Sequence, residues 1–469
     1  MEKYKNSLYY LILSLIVILG IYLRTNLFLS SSVFEDDECR LLITLLNKTA
    51  LFLPLGDAQS APPLFLYASK FLGYIFGFKE QVMKFIPFAA SIAGIFVFYK
   101  VCTGYLNKKL SIIISLLIFT LSKPLIAFSC IFKQYSTDVL IGLLCLYYFP
   151  KINIKDLNLK KTVILSAILI VLPFISLPSL FFISALFIQN IRCRKTGIIL
   201  IPFLITMGLY YCFNLHPSQI NLNEYFPNYW DDGFWSLSVK EFIRILLINI
   251  KFYFIPNSLS LFSVILLGWG VYCCIADKNK TSNFILIVCS LVLLASLLGI
   301  YPLCGRVGLY FISIFILLII KPLDTKFFAL ALIFILLSFY RYNLSYINEI
   351  SNETSFITYS PKKLMLVIKE NFRVDDTILC NSASSASWIF YSGMLKFMPE
   401  NVYEMDMKPY SKEAAFNYQN NLKKGQNYWI YLIKDYKKSP VSNFVTDWLK
   451  DKNVQTYTDR NSTLYYVRL

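Results

Sequence analysis

Apolar residues in this chain fall in long unbroken stretches, not in the short alternations of a half-buried sheet. A helix needs about 20 such residues to cross a bilayer. The first stretch, 8–28, follows Lys3 and Lys5. Others lie at 85–105, 111–128, 136–150, 162–176, 178–190, 197–213, 257–276, 283–300, 307–320 and 327–340, so the pattern predicts about eleven spans. The two that meet around 172–179 are short and flank Pro173 and Pro178. Within the polar segment 30–84, a shorter apolar stretch at 63–78 is interrupted by Lys70 and Gly73. That length, with an internal Lys, suits an interfacial or re-entrant helix better than a crossing.

The charge bias of the loops sets the orientation. If 63–78 does not cross, the loops at 100–109, 151–161, 192–195, 278–280 and 321–326 all lie on one side, and every one is basic. Basic loops stay in the cytoplasm. The N-terminus is then inside, and the segment 30–84 is the first outer loop. No small-residue cleavage site follows the first span, which therefore reads as an uncleaved anchor. Beyond 340 the long apolar runs stop and charge rises. Short apolar segments at 377–380, 428–433 and 463–467 predict strands, and 362–371 and 441–450 predict amphipathic helices. The expected architecture is a polytopic α-helical membrane protein: a membrane domain over 1–340 and a small extracytoplasmic α/β domain over 341–469.

Composition agrees. The 469 residues are 57% hydrophobic and 16% charged, with mean hydropathy +0.56. Soluble domains run about 45–50% apolar and about 25% charged. A soluble enzyme, a disordered chain and a disulfide scaffold are excluded. The formal charge of +17 is concentrated in the short loops, where it sets orientation and does not point to nucleic acid. The single histidine, His216, argues against a His-rich metal site and a Ser-His-Asp triad. No phosphate-binding glycine loop is present. The 11 cysteines form no CxxC pair, lie mostly in apolar runs and read as small buried hydrophobes.

Four outer-face segments carry candidate chemistry. Directly after the first span comes Glu35-Asp36-Asp37-Glu38. Adjacent carboxylates raise one another's affinity for protons, which suits a general base, and they also attract cations. The plainer alternative is a solvated acidic cap on a helix continuing to Asn47. The second segment, 129–138, holds Ser129, Lys133, Gln134, Tyr135 and Asp138. Lys133 reads as a phosphate contact or as a lysine snorkelling to the interface. The third, 301–306, places Tyr301 and Arg306 in a Pro-Gly turn, with Arg306 opposing the inside bias. The fourth, 214–235, contains Tyr225, Tyr229, Trp230, Asp231, Asp232 and Trp235, which read as sugar-stacking rings or as an ordinary interfacial aromatic belt.

In this order the clusters resemble the polytopic, lipid-sugar-dependent glycosyltransferases of the GT-C fold, in the branch of the bacterial relatives of protein O-mannosyltransferases and the lipid A aminoarabinose transferase. The family's Asp-Glu pair is matched by Asp37-Glu38, and its Pro-Pro-Leu element by Pro62-Pro63-Leu64. Its Ser-x-x-x-Lys/Arg-x-Tyr-x-x-Asp segment is matched by Ser129, Lys133, Tyr135 and Asp138. Its Tyr-Pro-x-x-Gly-Arg turn is matched by Tyr301, Pro302, Gly305 and Arg306. The acidic run is longer than the family pair and leaves the catalytic position open among Asp36, Asp37 and Glu38. The likeness covers the layout of roughly the first 340 residues and, more loosely, the last domain.

The resemblance implies transfer of a sugar from a polyprenyl-phosphate donor to an acceptor hydroxyl on a glycan, a lipid or a protein, at the outer face of a bacterial inner membrane. Asp37 is the first choice for the base. Lys133 and Arg306 are expected at the leaving phosphate, with Arg40 and Lys70 as reserves and Tyr135, Asp138 and Tyr301 beside the substrate. No metal ligand is assigned. A divalent cation on Asp36, Asp37 and Glu38 is an alternative for which no second ligand cluster is evident. A polysaccharide polymerase or ligase shares this chemistry and face. A lipid-glycan transporter predicts mid-span charges and inverted repeats, and neither stands out here. A non-enzymatic scaffold predicts no convergence of the clusters.

Overall fold

The computed structural model describes residues 2–31, 33–56, 59–225, 233–236, 238–253, 260–277, 279–303, 305–339, 361–381, 385–405, 425–433, 445, 448–450, 452–459 and 462–468. The chain divides into two compact units, one of Met1–Ser30 with Ala50–Ser351 and one of Ser31–Thr49 with Asn352–Leu469. The boundary expected near 340 falls outside the described residues.

A helix occupies each predicted apolar run of the first unit. The first, Glu2–Ser30, has 29 residues and is about 43 Å long at about 1.5 Å per residue. Among the described residues, five helices are each long and apolar enough to cross a membrane: Asn6–Ser30, Glu80–Tyr105, Arg194–Asn223, Lys280–Leu297 and Gly305–Asp324. A sixth crossing results if the pair Lys109–Leu121 and Lys123–Cys130, bent by 52°, is one span. Several of the other apolar helices are short, such as Leu159–Val171 and Ser179–Gln189. An amphipathic helix, Val239–Tyr253, adds an element where no span is predicted.

The run 111–128, expected as one continuous span, is instead broken at Ser122, whose backbone is extended. Pro124 causes the break locally, because it has no N–H to donate to the carbonyl four residues back. That carbonyl belongs to Thr120, and it accepts from the Arg24 guanidinium at 2.9 Å. Arg24 is 0% exposed in the first helix and also donates to Ser91 Oγ at 2.7 Å and Gly20 O at 3.1 Å. A buried cation thus ties the first helix, the helix Glu80–Tyr105 and the broken span together, and satisfies the carbonyl that the break exposes.

The basic loops are cross-bonded. Asp324 accepts from Asn107 N, Lys108 N and Ser111 Oγ, while Lys108 Nζ donates to Leu323 O and Thr325 O. Lys321 pairs with Asp277 at 3.0 Å. Lys195 Nζ donates to Lys155 O and Leu157 O, and Gln189 donates to Lys280 O. All five loops therefore gather at one end of the unit, as the charge argument requires.

The stretch at 63–78 forms the helix Pro63–Phe76, ended by Gly77 at φ 86°. It buries Phe65, Leu66, Ser69, Lys70 and Gly73, and exposes Phe71, Tyr74, Ile75 and Phe76. Pro63 at its first turn suits the fixed φ of proline.

The second unit holds one sheet of five strands: β1 Thr377–Asn381, β2 Val402–Met405, β3 Asn427–Ile433, β4 Val454–Asp459 and β5 Ser462–Arg468. Their order is β2-β1-β3-β5-β4; β1 runs parallel to β2 and β3, and β5 antiparallel to β3 and β4. The apolar segments predicted three of these strands. The other two, short or polar, are the edges, where solvent tolerates polar side chains. Helix Pro361–Asn371 matches expectation, while most of 441–450 lies outside the described residues. Helix Asp36–Asn47 belongs to this second unit, against helix Ser385–Met394.

A glycine provides the sharpest test of packing in the membrane unit. A Cβ at Gly270 lies 1.8 Å from the Leu318 backbone oxygen, whereas one at Gly268 meets nothing within 4 Å. Gly270→Ala is expected to destabilise the folded chain in detergent by at least about 3 kcal/mol, the upper range for overpacking, and Gly268→Ala to leave the unfolding midpoint unchanged. Equal midpoints for the two variants would contradict the close crossing.

Candidate active site

In the membrane unit, the broken span delivers the chain to the segment 128–138. Ser129 Oγ donates to Ile126 O at 2.6 Å and Ser136 Oγ to Phe128 O at 2.9 Å, fixing a tight connection ahead of helix Tyr135–Tyr148. Lys133 lies in that connection, 5% exposed, with its Nζ 2.6 Å from Gln59 Oε1. The amide oxygen accepts from this ammonium in a place that holds little water. Tyr135 packs edge-on against Phe128.

Arg306 reaches the same place from the other end of the sequence. Gly305 at φ 45° turns the chain into the 3-10 helix Gly305–Phe311, and the Arg306 guanidinium stands 5.9 Å from the centre of the Tyr135 ring. Cation–ring attraction operates at that range. Tyr301 braces the turn, donating from its hydroxyl to Val307 O at 3.2 Å and packing against Phe181 and Tyr310. Asp138 is buried one helical turn past Gln134 and beside Ser176; its Oδ1 has no hydrogen-bond partner among the described residues. Lys70 lies in the helix Pro63–Phe76, under the ring of Tyr74. The structure thus joins Tyr135 to Arg306, and Lys133 to Gln59, a residue that carries no signal in the sequence. Trp235, offered as a sugar platform, is buried, packs on Phe242 and donates to Leu303 O. It is core. Residues 226–232 of that aromatic segment lie outside the described residues.

In the second unit the four acids divide. Glu35 precedes the helix Asp36–Asn47, and Glu38, three residues on, turns back to accept from Glu35 N at 2.8 Å. This is a capping box, and it accounts for Glu38 as a buried structural group. Asp36 uses both oxygens: Oδ1 accepts from Ser387 N at 3.0 Å and Oδ2 from Arg40 Nε at 2.8 Å. Burial pushes its carboxyl up to about 6, against the opposing pull of Arg40 and of the Ser387 N–H. Asp37 is half-buried and projects about 100° around the helix from Asp36. Arg40, held as a reserve for phosphate, is the ion-pair partner of Asp36. Among the described residues no three His, Cys, Asp or Glu side chains cluster as a metal site. With Glu38 capping and Asp36 doubly engaged, the acidic run does not fit a multidentate cation site.

The raised affinity of Asp36 for its proton has a stability consequence. Its folded value exceeds the ordinary 3.8, so its contribution is full below that pH and is lost as pH rises towards about 6. Relative to Asp36→Asn, the wild type is expected to lose thermal midpoint between about pH 4 and pH 6 and then level off. Parallel curves across that window would refute the assignment.

No protein-family model and no curated protein matches this sequence. Solved structures do. The apo structure of ArnT from Cupriavidus metallidurans aligns with TM-score 0.53 at 10% identity, over 96% of this chain and 97% of that one. The Archaeoglobus fulgidus oligosaccharyltransferase in complex with Zn and sulfate aligns with TM-score 0.53 at 13% identity, over 97% of this chain and 72% of that one. ArnT from Cupriavidus metallidurans bound to undecaprenyl phosphate gives TM-score 0.50 at 9% identity, over 96% and 97%. These neighbours are GT-C glycosyltransferases, so the expected fold is borne out: the chain is a polytopic helical membrane protein with the GT-C fold and a small C-terminal α/β domain.

Proposed function

We propose that this protein transfers a sugar from a polyprenyl-phosphate donor to an acceptor hydroxyl. The observation that carries the reading is the pair of half-buried and buried cations, Arg306 on Tyr135 and Lys133 on Gln59, in a membrane unit of GT-C fold. A structure of that fold is bound to undecaprenyl phosphate. In the proposed reaction the acceptor oxygen attacks the anomeric carbon and its proton passes to Asp37. The bond from that carbon to the phosphate oxygen breaks, and the phosphate leaves with the electron pair. Lys133 and Arg306 offset the charge that develops on it. Asp37 is assigned the base because it matches the first acid of the Asp-Glu pair that carries the resemblance and is half-buried, not fully enclosed. The archaeal neighbour's structure holds Zn. In this chain the proposed reaction routes no step through such a cation.

The same reading has about eleven spans, a cytoplasmic N-terminus and an extracytoplasmic α/β domain in a bacterial inner membrane. The gathering of the basic loops at one end supports this orientation. Since one neighbour is an oligosaccharyltransferase, the donor panel that tests the reading includes oligosaccharide as well as monosaccharide lipids.

The test is release of polyprenyl phosphate by purified protein given that panel and a membrane extract as acceptor. Asp37→Asn is expected to lower turnover by about 10²–10⁴-fold, the usual contribution of a positioned base. Lys133→Met is expected to lower it by about 10²–10³-fold, as loss of one charge-stabilising donor does. Undiminished turnover in folded Asp37→Asn would remove the base from that position. Movement of labelled lipid across vesicles without release of phosphate would replace transfer with transport.

A further inference from the structure

The C-terminal part of the second unit, Asn352–Leu469, has no assigned role in this chemistry. We propose that its helix Ser385–Met394 is the device that positions the catalytic carboxylate. This rests on the reading of Asp37 as the base.

Three contacts carry the inference, all within the second unit. The first is Asp36 Oδ1 on the N–H of Ser387. Ser387 is the third residue of its helix, and its N–H is one of the donors that a helix start leaves without an intrahelical partner. A carboxylate from elsewhere in the chain satisfies it, and its negative charge suits the positive end of the helix. The second is Phe34 N, which donates to the Tyr391 hydroxyl at 2.6 Å; Tyr391 is 0% exposed. The third is the edge contact of Phe34 with Phe390, ring centres 5.5 Å apart. Ser387 and Tyr391 are four residues apart and so share one helix face. That face grips the acidic segment at residues 34 and 36, on either side of the N-cap residue Glu35. Asp37 follows directly, so its direction is set by a helix some 350 residues later in the chain. Asp36 is then a positioning residue, not a catalytic one. A misplacement of about 1 Å costs about 10²-fold in rate when geometry is exacting, so this grip belongs to the rate and not to donor affinity.

The experiment uses the full chain in detergent and two readouts, hydrogen exchange of the peptide covering 33–47 and steady-state kinetics of polyprenyl phosphate release. Tyr391→Phe removes the acceptor for Phe34 N with almost no change of shape. Asp36→Ala removes the acceptor for Ser387 N, and Asp36→Asn restores one, asparagine being as good a cap as aspartate. Faster exchange at 33–47 in Tyr391→Phe and Asp36→Ala is expected. So is a kcat lower by about ten-fold or more with KM within about two-fold, and substantial recovery of both readouts in Asp36→Asn.

Faster exchange with wild-type kcat in both variants would overturn the positioning role. Asp36→Asn as inactive as Asp36→Ala, beside a fully active Tyr391→Phe, would make Asp36 itself the base and overturn it equally. Unchanged exchange in Tyr391→Phe would show that the grip does not exist. If Asp36→Ala does not fold, Tyr391→Phe and Asp36→Asn decide alone. Failure of the base reading is separate: it shows as full activity in Asp37→Asn, and it leaves the exchange result standing as the measure of the grip.

Discussion

Hydrocarbon offers no hydrogen bonds, so a chain that breaks a helix inside the apolar part of a membrane protein must supply the missing partner itself. Here that requirement falls on Thr120 O. Pro124 removes the donor that a continuous helix provides, and Arg24 replaces it from another span while bonding Ser91 and Gly20. The cost of burying a guanidinium is offset by carbonyl and hydroxyl acceptors on three helices. Once the bend is stable, the chain can leave the span early and form the short connection that presents Lys133 ahead of helix Tyr135–Tyr148. The candidate cations of the membrane unit stand on this solution: one at the end of the bent segment, the other on the Gly305 turn that brings Arg306 to Tyr135.

The acidic segment obeys a different rule. It is polar and follows the first helix after only a few residues, so lipid-facing packing cannot hold it. It is held by hydrogen bonds and by the packing of Phe34 on Phe390. Glu38 closes the start of its own helix, Asp36 closes the start of another, and Tyr391 takes the N–H of Phe34. Four consecutive carboxylates would repel one another if all were exposed and charged. Turning two of them into caps and pairing one with Arg40 relieves that repulsion and leaves the side chains in different directions. A run that reads as uniform in sequence becomes three distinct jobs in the fold.

This marks what was legible in the sequence. Among the described residues, hydrophobic run length located the apolar helices of the membrane unit, because crossing a bilayer is a local demand on composition. Loop charge predicted which connections share an end, and the bonds of Asp324, Lys321, Lys195 and Gln189 show them sharing it. The break at Ser122 was legible in principle, since Pro124 lies two residues on, but apolar composition alone does not report a 52° bend. Arg24 is a lone charge in an apolar run; its partners are 67 and 96 residues away, and no local signal names them. The same holds for Ser387 and Tyr391 opposite the acidic run, and for Gln59 beside Lys133. The two missed strands were invisible because edge strands need no apolar face.

The acidic run shows why the distance in sequence matters to chemistry. A base must be oriented to within fractions of an ångström, and a helix of twelve residues is only marginally stable in isolation. Its direction must come from tertiary contact. Anchoring the segment through Asp36 and Phe34 uses groups close to Asp37 in the chain, so in the proposed reaction the anchored acid and the reacting acid are different residues. The anchor is buried, with its proton affinity raised, while its neighbour is half-buried. In an acid run longer than a pair, one carboxylate caps the helix that holds the segment and another closes the segment's own helix, and the proposed reaction uses the one between them.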